Sequence, residues 1–313
     1  MDRISTNTAY GSVLANLMAA ELRQTQAGNQ LSSTTKASDL KGYGASAETL
    51  AAMQATNTSV TGFLQQTQVV GAKLSTQDQA LNELADSAQG ARQAITNALA
   101  SGDGTTLMQS LQNFFQNAIE ALNTTYNGHY LFAGGQVTTQ PVTATTLSDL
   151  TSGPALSSFF HNDQRQTTTQ LDGTTSVSSS FLADSLGTGL FTVFQTLQAF
   201  ATGPGGPFSG TLTAAQKTFL TTQIASFDTQ HTNLVNVTAQ NGLMQSQVTA
   251  AQTSLTQRQT MLGGLIGNLT GADLAKASTD LQQAQLAVQA AGQVFLSLKA
   301  SSLLNTLSAS GVP

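Results

Sequence analysis

Apolar residues recur at seven-residue intervals along most of this chain. Near its end Leu274, Leu281, Val288 and Phe295 form one ladder, and Ala277, Ala284, Ala291 and Leu298 fill the positions three further on. Two interleaved ladders of this kind make the seam of a coiled coil. A stripe so narrow cannot bury itself, so the segment needs a partner helix in this chain or in another copy. That requirement points to assembly. The first forty residues mirror the last forty more weakly, with Ile4, Leu14, Leu17 or Met18, Leu22 and Leu31 on one face of a helix that carries few charges.

Two longer ladders lie between. The first runs from Leu50 through Met53, Val60, Thr67, Leu74, Leu81, Ala88 and Ile95, with Leu64, Ala85 and Leu99 beside it. It predicts one helix from Ala45 to Ala100, roughly 80 Å long at 1.5 Å per residue, and hence an elongated molecule. Ser101 to Gly104 stop it. Thr105 or Thr106 is placed to cap a second helix through Leu107, Leu111, Phe114, Ala118 and Leu122, which completes a helical hairpin. The second long ladder holds Leu220, Phe227, Leu234, Asn241, Val248, Leu255 and Leu262, flanked by Ile224, Val237, Met244, Ala251 and Leu265. Thr213 is placed to cap it and Asp273 to cap the final segment, while Gly263, Gly264, Gly267 and Gly271 are expected to loosen the chain between them. Asn241 either sets register from a buried position or faces water at a loosened point.

Helical spacing lapses in the middle. Asn127-Gly128 favours positive φ and opens a turn into Tyr130, Leu131 and Phe132, which prefer strand. From Gln136 to Gly189 the chain is rich in Thr, Ser and Val, and Asp172-Gly173 separates Gln166 to Leu171 from Thr174 to Ser180 as a hairpin turn. Leu190, Val193, Phe194, Leu197 and Phe200 restore helical spacing until Gly203-Pro204-Gly205-Gly206-Pro207 imposes a loop. The fold class is therefore mainly α with a small β-rich insertion: long antiparallel coiled-coil helices, paired N- and C-terminal helices, and the insertion at the distal end of the long pair. The Thr/Ser-rich stretch from Thr143 to Ser152 is expected to tolerate insertions, and Gly128 to Gly135 is not.

Composition narrows the function. Only 9% of the 313 residues are charged, and the net charge is -5. The few basic residues, among them Arg3, Arg23, Lys36, Lys41, Lys73 and Arg92, form no stripe, which disfavours nucleic acid as a partner. With no cysteine, disulfides and thiolate chemistry are excluded. No apolar run reaches the roughly twenty residues of a membrane span, and Asp2 to Thr8 do not resemble a signal-peptide core. His129, His161 and His231 are too separated for a metal triad, and the Gly-rich turns lack the context of a phosphate loop. Asp163, Asp172 and Ser176 read as hairpin residues rather than a catalytic set. No cofactor is expected, and no enzyme.

The order of these features resembles the bacterial flagellin superfamily, which comprises filament subunits and the hook-filament junction protein. Arg3-Ile4-Ser5-Thr6-Asn7 looks like the opening of that family. Gln30-Leu31-Ser32-Ser33 is similar to its Q-L-S-S/T segment between the first two helices. Asn127 to Gly135 is similar to the N-G-x-Y-L-F-A/S-G segment more typical of the junction protein. Asn162-Asp163 with Arg165, Leu171-Asp172-Gly173 and Leu190-Phe191 follow the expected order, and Ser302-Leu303-Leu304-Asn305 resembles the family's ending. The chain departs from the pattern where Thr34 and Lys36 replace the usual Gly and Arg, and where Gly42-Tyr43 replace an acidic pair.

The resemblance implies a structural subunit exported unfolded through the flagellar type III apparatus without a cleaved signal peptide, and assembled outside the cell into a helical tube. Its partners would be copies of itself, other flagellar axial proteins and an export chaperone. The implied organisation is a polymerisation segment over 1–42, a helical hairpin of the rod over 43–135, a β-rich surface insertion with a short helix over 136–210, the returning rod helix over 211–270 and a second polymerisation segment over 271–313. The expected assembly interface is Ile4, Leu14, Leu17, Leu22, Leu31, Leu274, Leu281, Val288, Phe295 and Leu298. The expected rod seam is Met53, Val60, Leu74, Leu81, Ile95, Leu220, Phe227, Leu234, Val248, Leu255 and Leu262. Filament subunit and junction adaptor both remain open. A secreted coiled-coil binding protein, such as a type III translocator or an adhesin, is the rival reading.

Overall fold

Periodic apolar positions and polar turns fold as six helices among the residues that a computed structural model describes, which are 2–178 and 181–309 for the backbone and 8, 10–178 and 181–300 for side chains. Helix α1 is Asp2–Ser33, α2 Ala47–Ser101, α3 Leu107–Leu122, α4 Ala183–Thr202, α5 Ala214–Thr270 and α6 Leu274–Ala309. Four strands form two small antiparallel pairs: β1 (Thr125–Tyr126) with β2 (His129–Tyr130), and β3 (Thr168–Gln170) with β4 (Ser176–Ser178). The chain divides into two compact units, Met1–Ser59 with Gln259–Pro313 and Val60–Arg258, called here the end unit and the rod unit.

In the rod unit α2 and α5 run antiparallel. Gly71 lies against Val248 and Gln252, Asn241 donates to the Leu74 carbonyl, and Arg92 pairs with Asp228 at 2.5 Å. The buried faces are the two ladders, with Val60, Leu74, Leu81 and Ile95 on α2, and Leu220, Phe227, Leu234, Val248 and Leu255 on α5. Helix α3 turns back against α2, and α4 closes the bundle. Ring contacts tie these elements at the centre: Phe115 meets Phe191 at 4.9 Å and Phe194 at 5.4 Å, and Phe194 meets Phe227 at 5.2 Å. Each fully buried Phe contributes about 1.5–3 kcal/mol, so this ring cluster anchors the unit.

The turns follow their chemistry. Thr213 and Gln216 form a reciprocal cap at the start of α5: Gln216 N donates to Thr213 Oγ1 at 3.2 Å and Thr213 N to Gln216 Oε1 at 2.9 Å. Asp273 accepts from Lys276 N at 3.0 Å at the start of α6. Asn127 (φ 51°) and Gly128 (φ 79°) make the two-residue turn between β1 and β2. At the start of α3, Thr106 takes the cap position without a side-chain bond, and the Asp103 carboxylate organises the turn by accepting from Thr105 N and Oγ1.

Four details differ from the sequence reading. Gly263, Gly264 and Gly267 do not loosen α5, which runs unbroken to Thr270 and stops only at Gly271: extending an established helix is cooperative, and a propensity cost of about 1 kcal/mol per glycine does not break it. On α3 it is Phe115, not Phe114, that is fully buried. The stretch from Thr143 to Ser152 is a poor site for insertions: Ala144, Leu147 and Leu150 belong to the main core, and Thr146 and Asp149 form a capping box. The insertion is also not confined to one end of the long pair. Its β3–β4 hairpin lies on the flank of α2 and α5, where Leu171 and Val177 pack with Val70, Leu74, Val248 and Ala251.

Candidate functional site

In the end unit the two chain-end helices pack antiparallel along each other. The Tyr10 ring meets the edge of Phe295 at 6.1 Å. At the other end of the pair Thr35 bridges Gly271, Ala272 N donates to Thr34 O at 2.9 Å, and Lys36 N donates to Thr270 O at 2.7 Å. The Lys36 ammonium adds a bond to Leu269 O at 3.0 Å. The segment after α1 thus clasps the turn that joins α5 to α6.

Alanines form the tightest part of the seam. Ala20 and Ala27 on α1 and Ala277 and Ala284 on α6 are buried, and with Leu50 they are the fully buried apolar side chains of the end unit among the described residues. Leu17, Leu31, Leu281, Val288, Phe295 and Leu298 are half-buried, while Leu14, Leu22 and Leu274 stand exposed. The Ile4 side chain lies outside the described residues. Of the expected rod-seam residues, Met53 and Leu262 are half-buried and the others are buried. The α1 seam itself consists of Tyr10, Leu17, Gln24 and Leu31 interleaved with Val13, Ala20 and Ala27, all buried or half-buried. These too are two seven-residue ladders, but Ala and Gln carry too little apolar bulk to stand out in the sequence beside Leu14, Met18 and Leu22.

Thr34 holds φ at 58°, the left-handed region that costs a side chain with a Cβ about 1–2 kcal/mol, at the position where a glycine was anticipated. Behind it Asp39 accepts from Gly42 N at 3.0 Å and the Tyr43 hydroxyl donates to Ala37 O at 2.8 Å. Lys36 therefore fills the role of a basic clasp, and Gly42-Tyr43 supply backbone and hydroxyl donors to a turn where an acidic pair would supply acceptors.

Charge is distributed unevenly. Residues 4–20 of α1 and 281–298 of α6 include no charged side chain on any face. Over these stretches Leu14, Met18, Leu286, Val294 and Leu296 are each more than 40% exposed. Six acidic and six basic residues balance in the end unit, whereas ten acidic and five basic residues place the whole net charge of -5 on the rod unit. An isolated helix pair in water ordinarily carries charges on its outer faces. These two stretches lack them.

Motif residues of the insertion serve the fold. The segment Leu131 to Gly134 is buried, and Phe132 O accepts from Ala183 N at the start of α4. Gly134 takes φ 69°, and a Cβ there would lie 2.2 Å from Asp163 Oδ1. Asp163 in turn accepts from Gly135 N at 2.6 Å and Arg165 N at 3.0 Å. Backbone N–H donors hold the carboxyls of Asp163 and Asp172 below the usual range, and those of Thr145 and Thr146 bring Asp149 down to about 2. These carboxylates are occupied in turns, so none is poised to move a proton. Among the described residues no three His, Asp or Glu side chains are grouped as metal ligands would be, and no helix is long and apolar enough to cross a membrane.

Chain-end helices paired along an uncharged seam in one unit, and long antiparallel helices in the other, define a helical structural protein. The chain belongs to the bacterial flagellin family: the model of the bacterial flagellin N-terminal helical region matches residues 4–137, and that of the C-terminal helical region matches residues 224–307. It is a structural subunit of the bacterial flagellum. Its fold is similar to that of a flagellar hook-associated protein from Vibrio parahaemolyticus, with TM-score 0.58 and 13% identity over 71% of this chain and 96% of that one. It is similar also to FlgL from Bacillus cereus, with TM-score 0.51 and 13% identity over 68% and 96%. No curated protein sequence matches the chain.

Proposed function

We propose that this chain is a hook-filament junction subunit, whose copies join side by side through the α1–α6 pair. The observation that carries this reading is the end unit's combination of a small core with two uncharged stretches, residues 4–20 and 281–298, that expose apolar side chains. Among the described residues, four of its five buried apolar side chains are alanines. Burying an alanine methyl yields about 0.8 kcal/mol, whereas ordering each residue of the pair costs on the order of 1 kcal/mol or more. The pair is marginal alone and gains when neighbours cover Leu14, Met18, Leu22, Leu274, Leu286 and Leu296. Leu17, Leu31, Leu281, Val288, Phe295 and Leu298 shape the hairpin that presents them.

The choice of junction over filament rests on Asn127 to Gly135, the segment more typical of the junction protein, and on the hook-associated folds that the chain resembles. Other flagellar axial proteins are then its neighbours above and below. The chain reaches its place by export through the flagellar type III apparatus, accompanied by a chaperone. The deciding test adds purified monomer to sheared seeds of the organism's own filament and images the product by electron microscopy. A bound layer that stops growing is expected. Growth into long tubes would make the chain a filament subunit instead, and no association would favour a secreted coiled-coil binding protein.

A further inference from the structure

The rod unit has two apolar cores, and a polar layer lies between them. Along α2, Leu74 belongs to the small core under the β3–β4 hairpin, Ala80 and Leu81 belong to the main core, and Gln77 falls between. Along α5, Leu234 belongs to the main core, Val248 to the small one, and Asn241 falls between. Gln77 and Asn241 are both 0% exposed. Neither polar atom of the Gln77 amide has a partner among the described residues, and nor does Asn241 Oδ1. The Asn241 amide donates to Leu74 O at 3.0 Å and to Asp78 Oδ1 at 3.1 Å, and Gln245 donates to the same Leu74 carbonyl at 3.2 Å.

We propose that this layer divides the rod unit into two cooperative parts, so that the hairpin and the apolar patch it covers on α2 and α5 open together while the main core stays closed. Buried amides with unmet hydrogen bonds gain from any opening that admits water, and they transmit little packing between the apolar layers on either side. The hairpin's hold is correspondingly slight. Its two strands have three residues each, and among the described residues of the hairpin only Leu171 and Val177 enter the small core. Thr168, Gln170 and Ser176 face solvent. Local opening of weakly packed units ahead of global unfolding is a general property of proteins. Here the sequence places the boundary at Gln77 and Asn241. The hairpin acts as a strap that masks the patch when closed and presents it when open.

Hydrogen exchange on the full chain, read by mass spectrometry, tests this. Peptides spanning 168–178, 68–76 and 246–252 should exchange as one group at least about tenfold faster than peptides spanning 84–98 and 188–197. Val177→Ser should speed the first group and leave the second unchanged. The double variant Gln77→Leu/Asn241→Leu should slow the strap peptides toward the main-core rate, because a continuous apolar seam couples the two cores. A single common rate in the parent chain, or equal acceleration of both groups by Val177→Ser, would overturn the proposal. The Val177→Ser comparison decides even if the double variant does not fold.

Discussion

Thr34 shows how much a single residue can reveal once its backbone is known. The sequence marks it only as a departure from an anticipated glycine, whereas the structure places it at φ 58° in the turn that clasps the α5–α6 junction. Thr34→Gly relieves left-handed strain and should raise the urea midpoint of the end unit by the equivalent of about 1 kcal/mol, once the greater freedom of glycine in the unfolded chain is subtracted. Asp149 makes a second residue-level point. Its carboxyl is held at about 2 by the N–H groups of Thr145 and Thr146, below the unfolded value of about 3.9. A depressed carboxylate stabilises the folded state above the unfolded pKa, and that stabilisation is lost as pH falls through the folded one. The insertion should therefore stay ordered down to about pH 4 and loosen between about pH 4 and pH 2. Asp149→Asn should flatten this dependence, measured by exchange of residues 142–152. Neither role was legible in the sequence, because each depends on which backbone groups a turn brings within reach.

At the scale of elements, legibility tracked bulk and period. The ladders of α2, α5 and α6 could be read from Leu, Ile, Val and Phe at seven-residue spacing, and the caps at Thr213 and Asp273 from residue type and position. The seam of α1 could not, because it is built on Ala20, Ala27 and Gln24, while the bulkier Leu14, Met18 and Leu22 remain exposed. In the insertion, Leu147 and Leu150 enter the main core from a short 3-10 turn and Ala144 from the irregular chain before it, geometries without a long period to betray them. Phe295 is the element-level test of the end unit. Phe295→Asp sets a charge beside Tyr10 in a pair with little core to spare, so seeded assembly should be lost while the thermal transition of the rod unit stays in place. Undiminished assembly would mean that α1–α6 pairing is not what neighbours recognise.

For the whole molecule, the partition of charge matters more than its total. A neutral end unit lets copies approach without net repulsion, while every rod unit carries the full -5. Packed copies therefore repel through their rods, at distances that salt can screen, since the Debye length shrinks from about 30 Å at 0.01 M to about 10 Å at 0.1 M. The initial rate of seeded assembly should rise over that range of ionic strength. A fall would indicate that ion pairs hold the interface, contrary to the uncharged stretches 4–20 of α1 and 281–298 of α6.

The clasp at Lys36 bears on the order in which the protein forms. Its bond to Leu269 joins residues 233 positions apart, and the pairing of Tyr10 with Phe295 spans still more of the chain. Contacts of such long range are slow to close, because the intervening chain must be ordered before they return any stabilisation. The rod unit, by contrast, lies wholly inside that span and has a complete core of its own. However the chain is delivered, α1 must wait unpaired until α6 arrives, and the surface best suited to meeting a neighbour is the last to take shape.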